Sequence, residues 1–514
     1  MTLQEKIGQR LVGGFPGKEM TAEFIRLVKQ YKIGNVILFK HNVENRQQLK
    51  KLCEDIQALI RRETGHSAFI TIDQEGGCVT RLPDDAVNVS GGMALAATGN
   101  PDYARRAAAI TARELHALGI NFNFAPDVDI NNNPDNPIIG SRCFGDTPQQ
   151  VSEYALAALA GYRENHMMAA AKHFPGHGDT ANDSHISLPL IDKSLAQLEK
   201  MELIPFQAMV DAGCPCIMTT HILFPQIEPK KIPATMSRTI VTELLKEKMG
   251  FRGLVVSDCM EMDAIKEFYG TAEGAAAAAA AGVDLIIVSH TEALLEQAAV
   301  RLEKAVLDGD ISMEEMDASV EKILHYKALY CTEPSGEAGT PEAFAESNEI
   351  RARSLVHIGS PIPELGSNPL FIGCADYRSG LVSNTEVNEN TFAGFMSARF
   401  GGDAIVTEPD PGEAEIAAAV AAAAGHTALV VNTYNGHLFS GQMALVEALG
   451  RTKLPMVVVA LRNPYDLKDL PAHAAGIAAW DYSTMTLEAL VPVLAGTKDA
   501  PGKMPITLYP TLKG

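Results

Sequence analysis

The sequence contains no stretch with the character of a secretion signal or a membrane span. Its first residues, MTLQEKIGQRLVGGF, have no basic segment followed by the apolar run that a signal peptide needs. The alanine tracts at 275–281 and 418–424 are too short and too weakly hydrophobic to cross a bilayer. We therefore expect a cytoplasmic protein that does not associate with a membrane. We expect both alanine tracts to form helices packed close to a sheet.

Basic residues are scarce beside acidic ones. The chain has 43 Lys and Arg residues against 63 Asp and Glu residues, which gives a net charge of −20. A polyanionic partner such as nucleic acid is bound through clustered Lys and Arg side chains. The charge balance therefore argues against nucleic acid as a partner and favours a neutral or mildly charged small substrate.

Signatures of disulfide frameworks, metal sites and nucleotide sites are also missing. The eight cysteines show neither C-x-x-C nor metal-ligand spacing, and no H-E-x-x-H pattern occurs. Neither GxxxxGKS/T nor a GxGxxG after a strand is found. We therefore expect reduced, buried thiols, no bound metal and no cofactor.

What the sequence does contain is a regular alternation of short apolar runs with helical patterns. At 514 residues and 46% apolar composition, the chain is long enough for two domains. Apolar runs occur at 10–15, 35–39, 68–73, 121–129, 169–173, 216–221, 253–258 and 283–289. Between them a period near 3.6 recurs at 22–31, 46–62, 102–118, 149–164, 195–211 and 239–248. Eight strand–helix units predict an N-terminal (β/α)8 TIM barrel over residues 1–330.

A second unit follows a short connection. Residues 331–356 combine a linker composition at 331–341 with a predicted connecting helix. Further apolar runs at 370–374, 404–407, 427–431, 456–461 and 476–480 alternate with helical patterns at 412–424, 440–449 and 485–495. This predicts a smaller C-terminal α/β sandwich domain with a mainly parallel sheet over 357–514. We expect it to stabilise the barrel or to mediate assembly, and a homodimer is left open.

Polar side chains follow the predicted barrel strands directly. They form five groups: Asp73 with Glu75, Asp127 with Asp129, Lys172 with His173, Thr220 with His221, and Ser257 with Asp258. A helix cap in the following loop would explain each group taken alone. Because the carboxyl ends of TIM-barrel strands form the active-site face, we expect the five groups to converge on one bowl.

The stretch 169–190, AAAKHFPGHGDTANDSHISLPL, concentrates proton-handling side chains between two glycine-rich turns. Asp183 lies two residues before His185, close enough for its carboxylate to bind a ring N–H and fix the tautomer. Such a pair suits general acid/base catalysis near neutral pH. The alternative is that Asp183 and Ser184 cap a helix and that the histidines are only solvated.

KHFPGHG followed by DSH resembles the signature loop of family 3 glycoside hydrolases, in the branch of β-N-acetylglucosaminidases that uses a histidine acid/base. DQEGG at 73–77 with Arg81, GSRCFGD at 140–146 and GLVVSDCMEM at 253–262 are similar to further segments of that family. The resemblance covers most of residues 1–330. It implies a retaining exo-β-N-acetylglucosaminidase that acts on muropeptide fragments or chitooligosaccharides.

The resemblance also implies roles for single residues. Asp258 would be the nucleophile, His185 the acid/base, and Asp183 the residue that orients His185. Sugar binding would fall to Asp73, Arg81, Arg142, Lys172 and His173. Residue type alone leaves five carboxylates open as nucleophile: Asp73, Glu75, Asp127, Asp129 and Asp258.

Three other functions remain open from the sequence. A β-N-acetylglucosaminide phosphorylase is compatible, because a histidine acid/base lacks the negative charge that would repel phosphate. A β-glucosidase and a sugar-binding protein without catalysis are the others. Cys78 and Cys259 depart from the family pattern; we expect packed thiols there and leave the preference for the leaving group open.

Overall fold

The computed structural model describes residues 1–180, 188–375 and 391–508. Its first sheet has eight parallel strands in the order β7-β6-β5-β4-β3-β2-β1-β8. The strands are β1 (Leu11–Gly13), β2 (Asn35–Leu38), β3 (Phe69–Ile72), β4 (Phe122–Asn123), β5 (Met168–Phe174), β6 (Cys216–Thr219), β7 (Leu254–Val256) and β8 (Ile286–Val288). A bridge between Val256 and Leu285 joins β7 to β8 and closes the sheet. The predicted TIM barrel is confirmed, with a strand in each predicted run.

Helices connect the strands much as the 3.6-residue period indicates. They are α1 (Leu3–Arg10), α2 (Ala22–Tyr31), α3 (Arg46–Thr64), α4 (Gly92–Ala97), α5 (Asp102–Ala117), α6 (Pro148–Glu164), α7 (Leu195–Leu198), α8 (Leu203–Asp211), the π-helix Thr239–Lys248, α9 (Asp263–Lys266), α10 (Thr271–Ala281), α11 (Glu292–Leu307) and α12 (Met313–Tyr330). The single helix predicted over 195–211 is divided into α7 and α8. Pro205 has no N–H to donate to the preceding turn, so it lies in the first turn of a new helix.

Large apolar side chains fill the barrel interior. Val12, Phe69, Phe122 and Ile287 are buried there, and Ile323 of α12 packs against the same cluster. Alternate residues of a strand point to opposite sides, so the remaining strand residues pack outward against the helices. The first alanine tract lies in α10 and is largely buried, as expected.

The second sheet has six strands in the order β11-β10-β12-β13-β14-β9. The strands are β9 (Val356–Gly359), β10 (Pro369–Cys374), β11 (Asp403–Thr407), β12 (Ala428–Thr433), β13 (Met456–Ala460) and β14 (Ala474–Ala478). All neighbours run parallel except β9, which pairs antiparallel with β14. The helices are α13 (Pro341–Ser354), which precedes the sheet, and α14 (Phe392–Phe400), α15 (Glu413–Ala422), α16 (Ser440–Gly450) and α17 (Thr484–Leu494).

Apolar clusters on both faces of this sheet bury helices, which confirms the predicted α/β sandwich. The second alanine tract packs into one cluster through the buried Ala419 and Ala423 and the half-buried Val420, and its other residues are exposed. The connecting helix ends at Ser354, and β9 begins at Val356, where the sequence analysis predicted helix. The domain limits at 330 and 357 stay predictions. In the described part of the chain, no helix has the length and apolar character needed to cross a membrane.

The second unit contacts the barrel loop that follows β4. The amide of Asn131 donates to the hydroxyl of Tyr465 over 2.8 Å, and His437 Nε2 donates to the Pro134 carbonyl over 3.2 Å. Gly140 of the same loop lies against Asn463, so close that an added Cβ would stand 2.3 Å from the Asn463 Oδ1 atom. The loop held in this way also carries Arg142.

Candidate active site

Polar groups from several strands meet at the carboxyl ends of the barrel strands, as the sequence predicts. Lys172, at the end of β5, is 1% exposed. Its ammonium lies 2.7 Å from Asp73 Oδ1 and 2.6 Å from Glu75 Oε1, both of which follow β3. Although burial disfavours a charged amine, these two carboxylates raise the pKa of Lys172 above its ordinary value. Lys172 is therefore a fixed cation at the floor of the bowl.

Arg142 completes this network from the turn Gly140–Arg142. Its guanidinium binds Glu75 with two parallel hydrogen bonds, Nε to Oε2 at 2.9 Å and Nη2 to Oε1 at 2.7 Å. Although burial opposes ionisation, Arg142 and Lys172 hold the pKa of Glu75 well below its ordinary value. Both Glu75 oxygens are thus occupied by cations, which makes Glu75 unsuited to attack a substrate.

His173 is fixed by Asp129. The ring Nδ1 lies 2.7 Å from Asp129 Oδ2, and the second oxygen of Asp129 accepts the His177 amide N–H over 2.7 Å. Burial and then the Arg142 cation lower the pKa of His173 to about 4. The ring is therefore neutral near pH 7, with Nδ1–H donating to Asp129. Its Nε2 then accepts from Arg142 Nη2, which lies 3.3 Å away.

Asp127 is a buried carboxylate with only one of its two oxygens in a hydrogen bond within the described residues. Its Oδ1 accepts the Asp129 amide N–H over 2.9 Å, whereas Oδ2 is buried without a hydrogen bond. Burial and then the charge of Asp129 raise the pKa of Asp127 to about 7, and burial raises that of Asp129 to about 6. Both groups are buried, so neither is placed to attack a sugar.

One set of groups in the described residues could hold a metal ion: Asp127, Asp129 and His173 offer ligand atoms within 4.8 Å of one another. The Arg142 guanidinium already lies 3.6 Å from Asp127 Oδ2, and His173 Nδ1 is bonded to Asp129. A cation placed there would meet an existing positive charge and would have to break that hydrogen bond.

Asp258 follows β7 and is half-buried. Its Oδ1 accepts the Cys259 amide N–H over 2.7 Å. Burial opposes its charge, but His221 and His173, with the Cys259 amide, hold the pKa of Asp258 below its ordinary value. His221 is fixed in turn, with Nε2 donating to the Cys259 carbonyl over 2.9 Å. Asp258 is therefore an ionised carboxylate with no cation bonded to it in the described part of the chain.

Of the eight site residues predicted from the sequence, the structure places six around this bowl: Asp73, Arg81, Arg142, Lys172, His173 and Asp258. Arg81 is buried; burial lowers the pKa of its guanidinium, while the nearby charges of Asp73 and Glu75 oppose that shift. Asp183 and His185 lie outside the described residues.

The structure adds five residues to the predicted site residues, although the sequence had already placed four of them among the polar groups at the strand ends. Glu75, Asp127, Asp129, His177 and His221 all contact or adjoin the predicted residues. Four of the five belong to the groups that follow β3, β4 and β6, so their position after a strand was the available signal. Their roles depend on partners that are distant in sequence.

The eight cysteines form no disulfide. Cys259 Sγ lies 3.1 Å from the Ser289 hydroxyl, and burial raises the pKa of this thiol to about 11, as expected for a packed group. Cys78 is half-buried in the turn after Gly77.

Comparisons with known proteins find relatives whose similarity covers both the fold and the candidate site. A family model described as "Glycosyl hydrolase family 3 N terminal domain" matches residues 2–326. "Beta-hexosaminidase A" of Pseudoalteromonas piscicida is 35% identical over 327 residues, which make up 59% of this chain and 55% of that protein. The chain thus spans about half the length of that relative. "Beta-N-acetylglucosaminidase/beta-glucosidase" of Cellulomonas fimi is 27% identical over 481 residues, 86% of this chain and 84% of that protein.

A solved structure extends the similarity to both units. It is that of a glycoside hydrolase family 3 β-N-acetylglucosaminidase from Paenibacillus sp. str. FPU-7, which covers 100% of both chains with a TM-score of 0.92 and 35% identity. The family model covers well over half of the present chain and contains every described strand end that forms the bowl. The chain therefore belongs to glycoside hydrolase family 3, in the branch that contains the β-N-acetylhexosaminidases.

Proposed function

We propose that the protein hydrolyses terminal β-linked N-acetylhexosamine, chiefly N-acetylglucosamine, from the non-reducing end of short saccharides. Two relatives with this activity in their names match the chain at 35% identity, one of them along its whole length. A bowl lined by carboxylates, cations and a neutral imidazole supports the proposal, because sugar hydroxyls both donate and accept hydrogen bonds.

The observation that carries the mechanism is the state of Asp258. Among the five candidate carboxylates, Asp73 and Glu75 bind Lys172, and Asp127 and Asp129 are buried. Asp258 alone is ionised, half-buried and without a bonded cation in the described residues. It would attack the anomeric carbon and form a covalent glycosyl-enzyme, so the anomeric configuration would be retained.

The second half of the mechanism needs a proton donor that later becomes a base. We assign this role to His185, oriented by Asp183. His185 would protonate the oxygen of the leaving group while the bond from Asp258 forms, and would then take a proton from the water that cleaves the glycosyl-enzyme. Asp73, Arg81, Arg142, Lys172 and His173 would bind the hydroxyls of the sugar.

A screen of aryl glycosides tests the activity. In phosphate-free buffer, the p-nitrophenyl β-N-acetylglucosaminide should be cleaved faster than the β-glucoside. The name of the Cellulomonas fimi relative makes a β-glucosidase the second candidate, and a faster glucoside would favour it. A sugar 1-phosphate formed only when phosphate is added would replace hydrolysis by phosphorolysis. Muropeptide fragments and chitooligosaccharides, compared by kcat/KM, would identify the natural leaving group.

A mechanism-based fluorosugar tests the nucleophile. It should label the peptide that contains Asp258, and NMR should show the β-anomer as the first product. Labelling at Asp73 or Glu75 would refute the assignment, and an inverted first product would remove the covalent intermediate altogether.

Substitution of His185 tests the acid/base. General acid/base catalysis is worth ~10²–10⁴ in rate, so His185→Ala should lose much of that on a disaccharide. A dinitrophenyl glycoside, whose leaving group needs no proton, should form the glycosyl-enzyme nearly as fast as before. Azide should then accelerate turnover and yield a β-glycosyl azide. Equal losses on both substrates, with no azide effect, would make His185 a binding residue.

A further inference from the structure

Three aromatic rings form a cluster at the carboxyl ends of β2 and β8. Phe39 follows β2 and is half-buried, whereas His41 and His290 are exposed. The ring centroid of Phe39 lies 4.5 Å from that of His290 and 5.7 Å from that of His41, and the two imidazole centroids are 6.5 Å apart. These three rings are called here the aromatic cluster.

The aromatic cluster and the charged network lie at the ends of different barrel strands. The network comes from the ends of β3, β4, β5, β6 and β7, and the cluster comes from β2 and β8, which flank β1. On one side it adjoins the proposed nucleophile: His290 follows Ser289, whose hydroxyl lies 3.1 Å from the Sγ atom of Cys259, the residue after Asp258.

On its other side the aromatic cluster adjoins the sugar-binding arginine. Lys40, between the two rings of the β2 turn, donates to the Leu82 carbonyl over 3.3 Å, next to Arg81. The aromatic cluster therefore borders the bowl at both of its ends, and Phe39 also packs against the apolar cluster of the barrel interior.

The turn that carries Phe39 and His41 is held rigidly. The Phe39 amide N–H donates to Asn42 Oδ1 over 2.9 Å, and the Asn42 amide donates to the Phe15 carbonyl over 3.0 Å. His41 Nε2 donates to the same carbonyl over 3.2 Å, which fixes its tautomer. His290 has φ of 115°, a conformation that non-glycine residues adopt rarely and that clusters at functional sites.

We propose that the aromatic cluster is the subsite for the leaving group, where the second sugar ring of the substrate stacks on Phe39. The proposal rests on the proposed hydrolase function. A pyranose ring presents apolar C–H groups on its faces and hydroxyls at its edge. Phe39 supplies a π-face for the former, and the imidazoles of His41 and His290 supply hydrogen-bonding groups for the latter. The His41 Nε2–H is already donated to the Phe15 carbonyl, so its Nδ1 atom can accept from a hydroxyl but cannot donate to a carboxylate, and the ligand is a neutral aminosugar ring.

The test compares substrates with and without a second ring. Phe39→Leu should lower kcat/KM for N,N′-diacetylchitobiose about tenfold, the scale of one lost aromatic contact with its buried area. For N-acetyl-β-glucosaminyl fluoride, which has no second ring, kcat/KM should change less than about twofold. The inhibition constant of free N-acetylglucosamine should also stay unchanged, which shows that the variant is folded. Phe344→Leu is the matched control, because Phe344 is a half-buried ring on α13, away from the strand ends.

His41→Ala tests the hydrogen bond at the edge of that ring, which the Nδ1 atom of His41 would accept from a hydroxyl. A loss on N,N′-diacetylchitobiose, with the fluoride unaffected, would support the subsite. Equal losses on both substrates, or no loss on either, would overturn the contact of His41 with the leaving group.

Two results would overturn the proposal in distinguishable ways. Equal losses on the fluoride and on N,N′-diacetylchitobiose in Phe39→Leu, or no loss on either, would overturn the subsite while the hydrolase function stands. A wild-type protein inactive on all of these substrates would overturn the proposed function and the subsite with it.

Discussion

Glu75 is the residue whose replacement tests the charge balance of the bowl most directly. It is buried and receives three charge-assisted hydrogen bonds, two from Arg142 and one from Lys172. In Glu75→Gln the amide nitrogen replaces one acceptor by a donor, and it must face either Arg142 or Lys172, which can only donate. At least one hydrogen bond is lost, and two buried cations lose their shared counter-charge.

The expected cost is about 3 kcal/mol in the free energy of unfolding. Removing one partner of a buried ion pair costs ~3–5 kcal/mol. The lower end applies here, because Asp73 remains 2.7 Å from Lys172 and Asp127 remains 3.6 Å from Arg142. Misplacement of both cations should also lower kcat/KM by about 10²-fold, as small shifts of positioning groups do.

Urea denaturation followed by far-UV circular dichroism measures the first effect. Glu199→Gln is the matched control, since its ion pair with Lys248 at 2.5 Å is exposed and should be worth under ~1 kcal/mol. The folded pKa of Glu75 lies below 4.5, its value without partners. The wild type should therefore keep its advantage between pH 5 and 8 and lose it as the pH falls below about 4.5. If both variants unfold at the same urea concentration and Glu75→Gln retains full activity, Glu75 does not balance the two cations.

Three further predictions concern groups outside the bowl. Lys193 lies 2.5 Å from both Asp179 and Glu202, and thus joins the chain before residues 181–187 to the chain after them. Because Asp179→Asn should misplace the acid, it should lower kcat about tenfold on a disaccharide but scarcely on a dinitrophenyl glycoside. Equal losses on the two substrates would contradict this. Burial lowers the pKa of Lys327 to about 7, although its ammonium donates to Gln9 and Gly34. Between pH 7 and 10 the folded state then binds fewer protons than the unfolded state, so the unfolding free energy of the wild type should rise across that range relative to Lys327→Met. Parallel pH profiles of the two proteins would refute the shift. Tyr465→Phe leaves a buried Asn131 donor unpaired and should lower the free energy of unfolding by ~1–3 kcal/mol. The fluorescence of Trp480, the chain's single tryptophan, should then report unfolding of the second unit at a lower urea concentration. An unchanged transition would show that the contact adds nothing to stability.

The barrel and the meeting of its polar groups were predictable because both follow from local patterns. Each barrel strand is a short apolar run, and Asp73, Lys172 and Asp258 come at the end of such a run, so the geometry of a closed parallel sheet brings them together. Residue order alone was enough to locate the bowl.

Features that depend on distant partners were not predictable in the same way. Glu75 has the residue type of a nucleophile, and only the position of Arg142, 67 residues later, makes it an ion-pair partner. Strand β9 has four residues and no clear alternation, and it exists because β14, more than a hundred residues later, pairs with it. The contact between Asn131 and Tyr465 spans 334 residues. The predicted pair Asp183 and His185 rests on the sequence alone.

The close seating of Gly140 against Asn463 has an evolutionary consequence. An added Cβ at position 140 would stand 2.3 Å from Asn463 Oδ1, and Gly140 has φ of 47°, a conformation that favours glycine. A larger residue at 140 therefore requires both a smaller residue at 463 and a strained backbone. Substitutions at the two positions should therefore occur in pairs among homologues that have both units. The same covariation should link position 131 with 465. Substitutions in the second unit should thus be accompanied by substitutions in the barrel loop that carries Arg142.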